Sequence, residues 1–492
     1  MDSVPQPVER RHVGLLTVLS AVILLAFVTL LGWLQSQGSR VEDMADVDGA
    51  RALSLVVGRA LDLDAGVEQA PAWERRLYRF MLGDRADDLA DGIRWFDELA
   101  RYSLDPSVDL HLAMLEAEAG RLERVRRRVL EWERREEPFP TLAGLVAAAY
   151  LGRDALVEKP GPGLDAALAP LLPDGWFRDR LSIRLAARAG DDELAAAAAG
   201  ALANRARRLL DRLRGFAAGE AAVLAAGALV LVTLVAARSA RPGRGVGGVW
   251  GMRFGPAAMP PPWQGRAGVV ALIHGGAVGA LLITAVHLLA LLTPERPLTD
   301  VVLATLTNVA FVPLLVIARR RLLRPAGIGL GVGLGLVPAR SATMPLVGVC
   351  LALLAAGQAG EWMLGWAGRV FAVPAHWTEW FDRDLAWGTP PIVALELFDA
   401  VVLTPVFEEI LFRGLLFATL RARLGLGASA VLSAVVFAGA HGYGVLGFVT
   451  VCWSGVLWAV AYEKTGSLLP SIAAHAVDNL GASLALLLVL RA

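Results

Sequence analysis

PIVALELFDAVVLTPVFEEILFRGLLFAT, residues 391 to 419, is an apolar run long enough to cross a bilayer, yet its second half carries two adjacent glutamates and an arginine. A span needs roughly 20 apolar residues, and one charge at its centre costs roughly 2.5–3.5 kcal/mol on insertion scales. Glu408, Glu409 and Arg413 therefore need compensation. Glu409 and Arg413 are four apart, so on a helix they share a face and pair in the favourable acid-first order. Glu408 lies about 100° further round the helix and has no partner close in sequence.

The rest of the chain agrees with a membrane setting. Of its 492 residues 55% are hydrophobic, and the mean hydropathy of +0.53 is too high for an ordinary soluble protein. Apolar runs at 13–34, 221–237, 268–292, 298–317, 344–366, 391–419, 428–441, 445–462 and 468–490 predict about nine spans. The first follows Arg10, Arg11 and His12 and lacks a small-residue cleavage site after it, which reads as an uncleaved signal anchor over residues 1–35. Residues 36–215 are charged and rich in Ala, Leu and Arg, with helical spacing in DLHLAMLEAEAGRLERVRRRVLEWERR. The expected fold is thus all-α: a polytopic helical membrane protein with an inserted soluble domain of helical hairpins, TPR-like in its helix-Gly-helix joint at LEAEAGRLERV. The arginine run in that domain reads as a solvated helix face. Residues 216–326 hold further spans and an Arg-rich loop, and 327–492 form the core that contains the glutamates. GIGLGVGLGLVPAR, residues 327–340, is too Gly-rich for a normal helix and is expected along the interface.

Charge sets orientation. With a cytoplasmic N-terminus, the arginine-rich loops at 238–266, 319–324 and 421–423 all fall inside, and residues 36–215 fall outside. Of 47 basic side chains only Lys159 and Lys464 are lysines, a bias suggesting a GC-rich bacterial genome, so the expected location is the bacterial inner membrane. A formal net charge of zero argues against a nucleic-acid partner. Cys350 and Cys452 lie in apolar runs and read as structural thiols.

Intramembrane polar residues are functional candidates by default. In the last hundred residues they come in pairs four apart: Glu409 with Arg413, Phe437 with His441, and His475 with Asn479. A carboxylate, two imidazoles and an amide are the groups of hydrolysis. His441 is placed to share a water with Glu408, and His475 with Asn479 to donate to the oxyanion formed on attack. Pro405 removes a backbone donor, frees the carbonyl of Val401 and bends the helix just before the glutamates. Glu361, Glu396 and Asp399 are expected near outer helix ends, His274 and His287 lack partners at ligand spacing, and Asp478 faces away from Asn479.

EEILFR (408–413), FAGAH (437–441) and HAVDN (475–479) resemble the three signatures of the CPBP family of intramembrane proteases, the CAAX protease and bacteriocin-processing family that includes type II prenyl-protein endopeptidases. The resemblance covers roughly Gly327 to Leu490, and PVFEEILFRGLL and TGSLLPSIAAHAVDN agree with it. It implies a membrane core with a catalytic cavity inside the bilayer and peptide-bond hydrolysis. By position, Glu408 is the general base, His441 assists it, and His475 and Asn479 form the oxyanion site. Glu409 and Arg413 hold the first helix in register, and Phe437 packs the second. The expected partners are a membrane-associated peptide or protein substrate, the lipid bilayer, and a protein at the helical domain. No cofactor is expected, since no H-E-x-x-H occurs; were zinc used, its ligands would be Glu408, His441 and His475. A non-catalytic membrane scaffold that binds partners through the helical domain is the alternative.

Overall fold

The computed structural model describes residues 14–37, 41–42, 48–152, 172–240, 263–293, 296–337, 343–373 and 375–491. The basic cluster Arg10–His12, Lys159 and most of the arginine-rich loop after residue 240 lie outside these residues. Every described element is helical, and no strand occurs among the described residues. Eight helices are long and apolar enough to cross a membrane, making this a multi-pass membrane protein. The ninth expected span, 428–441, is a helix of 16 residues, Leu426–His441. At 1.5 Å per residue it reaches only about 24 Å, short of the roughly 30 Å hydrocarbon core.

The chain divides into two compact units. One comprises residues 37–221, 374–387 and 482–492. Its helices are α2 (Gly49–Glu68), α3 (Ala72–Leu82), α4 (Arg85–Leu99), α5 (Pro106–Glu118), α6 (Leu122–Trp132), α7 (Phe139–Val146) and α8 (Trp176–Ala189), after α1 (Leu15–Gln37) of the other unit. Local chemistry sets their ends. Asp84 forms a capping box with Asp87 at the start of α4, and Asp105 caps α5 ahead of Pro106. Leu53, Phe96, Leu110, Met114, Trp132 and Leu181 form its apolar core. Trp377 and Leu490 join that core, although 369–390 reads in sequence as an interfacial loop: Trp377 is fully buried here. Several buried acids are met by arginine: Glu118 accepts from Arg180 and Arg184, Asp62 from Arg205 and Glu74 from Arg214.

The long helix α9 (Asp192–Ala240) has no break at residue 215, where composition changes. Its Ala-rich sequence favours helix in both the polar and the apolar half. The membrane unit contains α10 (Gly265–Leu292), α11 (Pro297–Val309), α12 (Val312–Ala318), α13 (Thr343–Val370), α14 (the span Pro390–Arg421), α15 (Leu426–His441), α16 (Val445–Thr465) and α17 (Leu469–Leu490, which runs past residue 481 into the other unit). The Gly-rich segment forms one helical turn, Leu330–Gly333, and then a tight turn at Gly335. The Gly335 carbonyl accepts from Ser467 Oγ at 2.8 Å and Leu468 N at 3.1 Å, just before α17 begins. Gly335 has φ +68°, and a Cβ there would lie 2.3 Å from the Gly466 carbonyl oxygen.

Gly335→Ala should therefore lower stability by about 1–3 kcal/mol, read as a drop in thermal midpoint in detergent, whereas Gly357→Ala, where a Cβ meets nothing within 4 Å, should show no drop. In the helical unit, burial and the neighbouring Asp64 push the Asp88 carboxyl up to about 8. The native state thus holds a proton that the unfolded chain gives up near pH 4, so stability should fall as pH rises from 5 to 9. Thermal scans across that range should show the fall, and Asp88→Asn should flatten it.

Candidate active site

The span α14 is not one regular helix. Thr404–Glu409 is α-helical, but it is flanked by π-helical segments Asp399–Leu403 and Ile410–Phe417. The first follows from Pro405. Thr404 N–H reaches back five residues to the Asp399 carbonyl, and Pro405 has no N–H to give the carbonyl five before it, Ala400. That carbonyl is met instead by Asn479 Nδ2 at 2.7 Å, from α17. Counted in the π-register, the carbonyl that Pro405 cannot serve is Ala400, one residue before the Val401 of α-helical counting. From α11, Asn308 Nδ2 donates to Asp399 Oδ1 at 2.9 Å and lies 3.3 Å from Thr404 Oγ1. Two amides from separate helices therefore hold the turn that precedes the glutamates.

Arg413 and Glu409 are both buried, and Arg413 Nη1 donates to Glu409 Oε1 at 2.8 Å. The guanidinium lies over the rings of Phe437, at 4.2 Å, and Trp458, at 4.9 Å. Its Nε and Nη2 have no hydrogen-bond partner among the described residues, so the two π-faces supply the rest of the cation's stabilisation. Gly455 makes the space: a Cβ there would lie 3.0 Å from Arg413 Nη2 and 2.9 Å from Ala434 Cβ.

His475 is 4% exposed and stacks on Trp458 at 4.3 Å between centroids. Its Nδ1 lies 3.3 Å from Glu409 Oε1 and its Nε2 3.7 Å from Glu408 Oε2. It thus stands between the two acids. Since the carboxylate paired with Arg413 accepts, Nδ1 carries the proton in the neutral ring and Nε2 turns its lone pair to Glu408. Glu408 Oε2 itself has no hydrogen-bond partner among the described residues. His441 ends α15, where Gly442 turns the chain at φ +65°. Its Nδ1 lies 2.8 Å from the Phe437 carbonyl; a carbonyl only accepts, so in the neutral ring Nδ1 carries the proton and Nε2 the lone pair. Phe437 is the hub, in ring contact with Phe412, His441, Trp458 and His475.

Several of these residues escape a motif search. Trp458 and Gly455 share a face of α16 at a spacing of three, a signal readable in the sequence. Asn308 lies far upstream with no pattern around it. Asp399 is not at a helix end but accepts from Asn308, and His274 has partners, Thr17 Oγ1 at 3.0 Å and Arg321 Nη1 at 2.6 Å. His287 Nδ1 meets its own helix at the Ile283 carbonyl, 2.9 Å away. Among the described residues no three or more of His, Cys, Asp and Glu are grouped to hold a metal ion.

Replacing one member of the buried pair strands the other. Arg413→Gln should cost about 3–5 kcal/mol, and the double variant Glu409→Gln with Arg413→Gln should recover a large part of it, measured as a coupling energy from thermal or denaturant unfolding of the four proteins.

No curated protein and no solved structure matches the chain. Residues 390–481, which carry Glu408, His441, His475 and Asn479 together with their aromatic cradle, match the family model of the Rce1-like type II CAAX prenyl endopeptidases.

Proposed function

We propose that the chain is an intramembrane endopeptidase that hydrolyses peptide bonds of membrane-associated proteins or peptides. The observation that carries this reading is Glu408: a carboxylate among membrane helices, without a hydrogen bond at Oε2, facing a bare imidazole nitrogen, while its neighbour Glu409 is neutralised by Arg413. An acid held only for structure would be paired as Glu409 is.

In this mechanism Glu408 accepts a proton from a water that His441 Nε2 helps to orient. The water oxygen bonds to the scissile carbonyl carbon, and the carbonyl oxygen takes the negative charge. The proton on Glu408 has two uses across the 3.7 Å gap to His475 Nε2. Shared with that nitrogen, it turns His475 into a donor towards the oxyanion. Passed to the departing nitrogen, it completes cleavage of the C–N bond and leaves a carboxylic acid and an amine. Asn479 has two amide N–H groups; one holds Ala400, and the second is left for the oxyanion. No step is routed through a metal ion. The resemblance to prenyl endopeptidases supports the reaction class, and we place residues 36–215 outside the bacterial inner membrane as a domain, TPR-like in its joints, that recruits substrate.

With purified protein in detergent or liposomes and a membrane-peptide library, Glu408→Gln should lower kcat at least 10³-fold with little change in thermal midpoint, and exhaustive chelation should leave wild-type turnover intact. Equal turnover by wild type and Glu408→Gln would remove the mechanism and favour a non-catalytic scaffold.

A further inference from the structure

In the helical unit a cavity of about 190 Å³ lies against α2, α5 and α8. That is far more than the roughly 10–15 Å³ that one water requires on the same measure. Its walls include Arg51, Arg59, His111, Trp176, Phe177 and Trp387.

His111 is 2% exposed and fixed by its neighbours, stacked on Phe96 at 5.2 Å and edge-on to Phe177 at 4.4 Å. Its Nδ1 lies 2.5 Å from the Ser107 carbonyl, so Nδ1 is the donor and Nε2 the lone pair. Burial pushes the imidazole down to about 4, which keeps it neutral at physiological pH. Nε2 has no hydrogen-bond partner among the described residues. A buried polar atom in that state is rare and calls for a donor from outside the protein.

The cavity also carries surplus positive charge. Arg51 lies over the Trp387 ring at 4.4 Å, and among the described residues no carboxylate pairs with it. Arg59 Nη1 lies 3.8 Å from Asp62 Oδ2, an acid it shares with Arg205, and Arg205, Arg208 and Arg212 add their fields there. The acids on the wall are already engaged: both oxygens of Asp62 accept from Arg205, at 2.8 and 3.1 Å, and Asp174 accepts from Arg178. One wall is therefore cationic, one point is a bare acceptor, and the indole and phenyl faces are apolar.

We propose that this cavity binds a carboxylate that carries an N–H or O–H donor and an apolar body, the chemistry shared by an N-acyl amino acid and the carboxyl end of a peptide. The carboxylate meets Arg51 and Arg59, the donor meets His111 Nε2, and the apolar group packs on Trp176 and Trp387. The assignment is independent of the chemistry at Glu408.

Calorimetric titration of the full chain in detergent tests it. N-acetyl-leucine should bind saturably. Its primary amide, which lacks the charge, and 4-methylpentanoate, which lacks the donor, should each bind about tenfold or more weakly. An acetylated tetrapeptide ending in leucine separates the sources: binding at least as tight as N-acetyl-leucine, lost on carboxyl amidation, identifies a peptide end, and no binding identifies a small acid. Arg51→Gln should weaken the acid about tenfold without shifting the thermal midpoint, since Arg51 is exposed; His111→Phe, which keeps the ring stack, should do the same to the acid while leaving 4-methylpentanoate unchanged. No saturable binding of N-acetyl-leucine or the tetrapeptide, or equal binding of the acid and its amide, would overturn the proposal.

Discussion

The site rests on one buried cation. Arg413 is surrounded by apolar surface, and a guanidinium cannot shed its charge there. Its stabilisation comes from Glu409 on one side and from the faces of Phe437 and Trp458 on the other. Those partners come from α14, α15 and α16, so satisfying the charge fixes how three helices meet. His475, stacked on the same Trp458 and in contact with the same Glu409, brings in α17. A buried ion pair is weak evidence for stability, but it is strong evidence for geometry, because few arrangements satisfy it.

A second constraint comes from the backbone. Pro405 and the two π-segments leave a carbonyl in mid-span that lipid cannot satisfy. Asn479 meets it at Ala400, and Asn308 anchors Asp399 beside it. Irregular backbone inside a membrane is tolerated where protein side chains re-satisfy it, and π-turns often mark functional sites. Here the irregular turn immediately precedes Glu408. The same physics, an unmet polar atom in a place that water does not freely reach, marks His111 in the helical unit.

The membrane character was legible from apolar runs, since bilayer thickness dictates span length, and eight spans follow from it. The helix Leu426–His441 covers its apolar run but at 16 residues is short of a full span, and Gly442 ends it in a left-handed turn. The Glu409–Arg413 pair was legible because four-residue spacing is a property of one helix. The placing of Asp399 at an outer end failed because hydropathy cannot see Asn308 arriving from another span. Asn479 meets the Ala400 carbonyl, one residue before the Val401 that α-helical counting names, because the π-turn shifts the register. Trp377 and the chain end joined the helical unit through packing between residues hundreds apart in sequence.

By itself the sequence determined which residues have to be compensated: charged, amide and imidazole groups in apolar runs, at spacings that put pairs on shared helix faces. Those are local properties, fixed by composition and by 3.6 residues per turn. Only the tertiary structure decided who compensates whom. It set His475 between Glu408 and Glu409, gave Asn479 to a backbone carbonyl, and left Glu408 Oε2 without a hydrogen bond. Distances between helices depend on how glycines such as Gly455 let them approach, and no spacing along one chain segment encodes that.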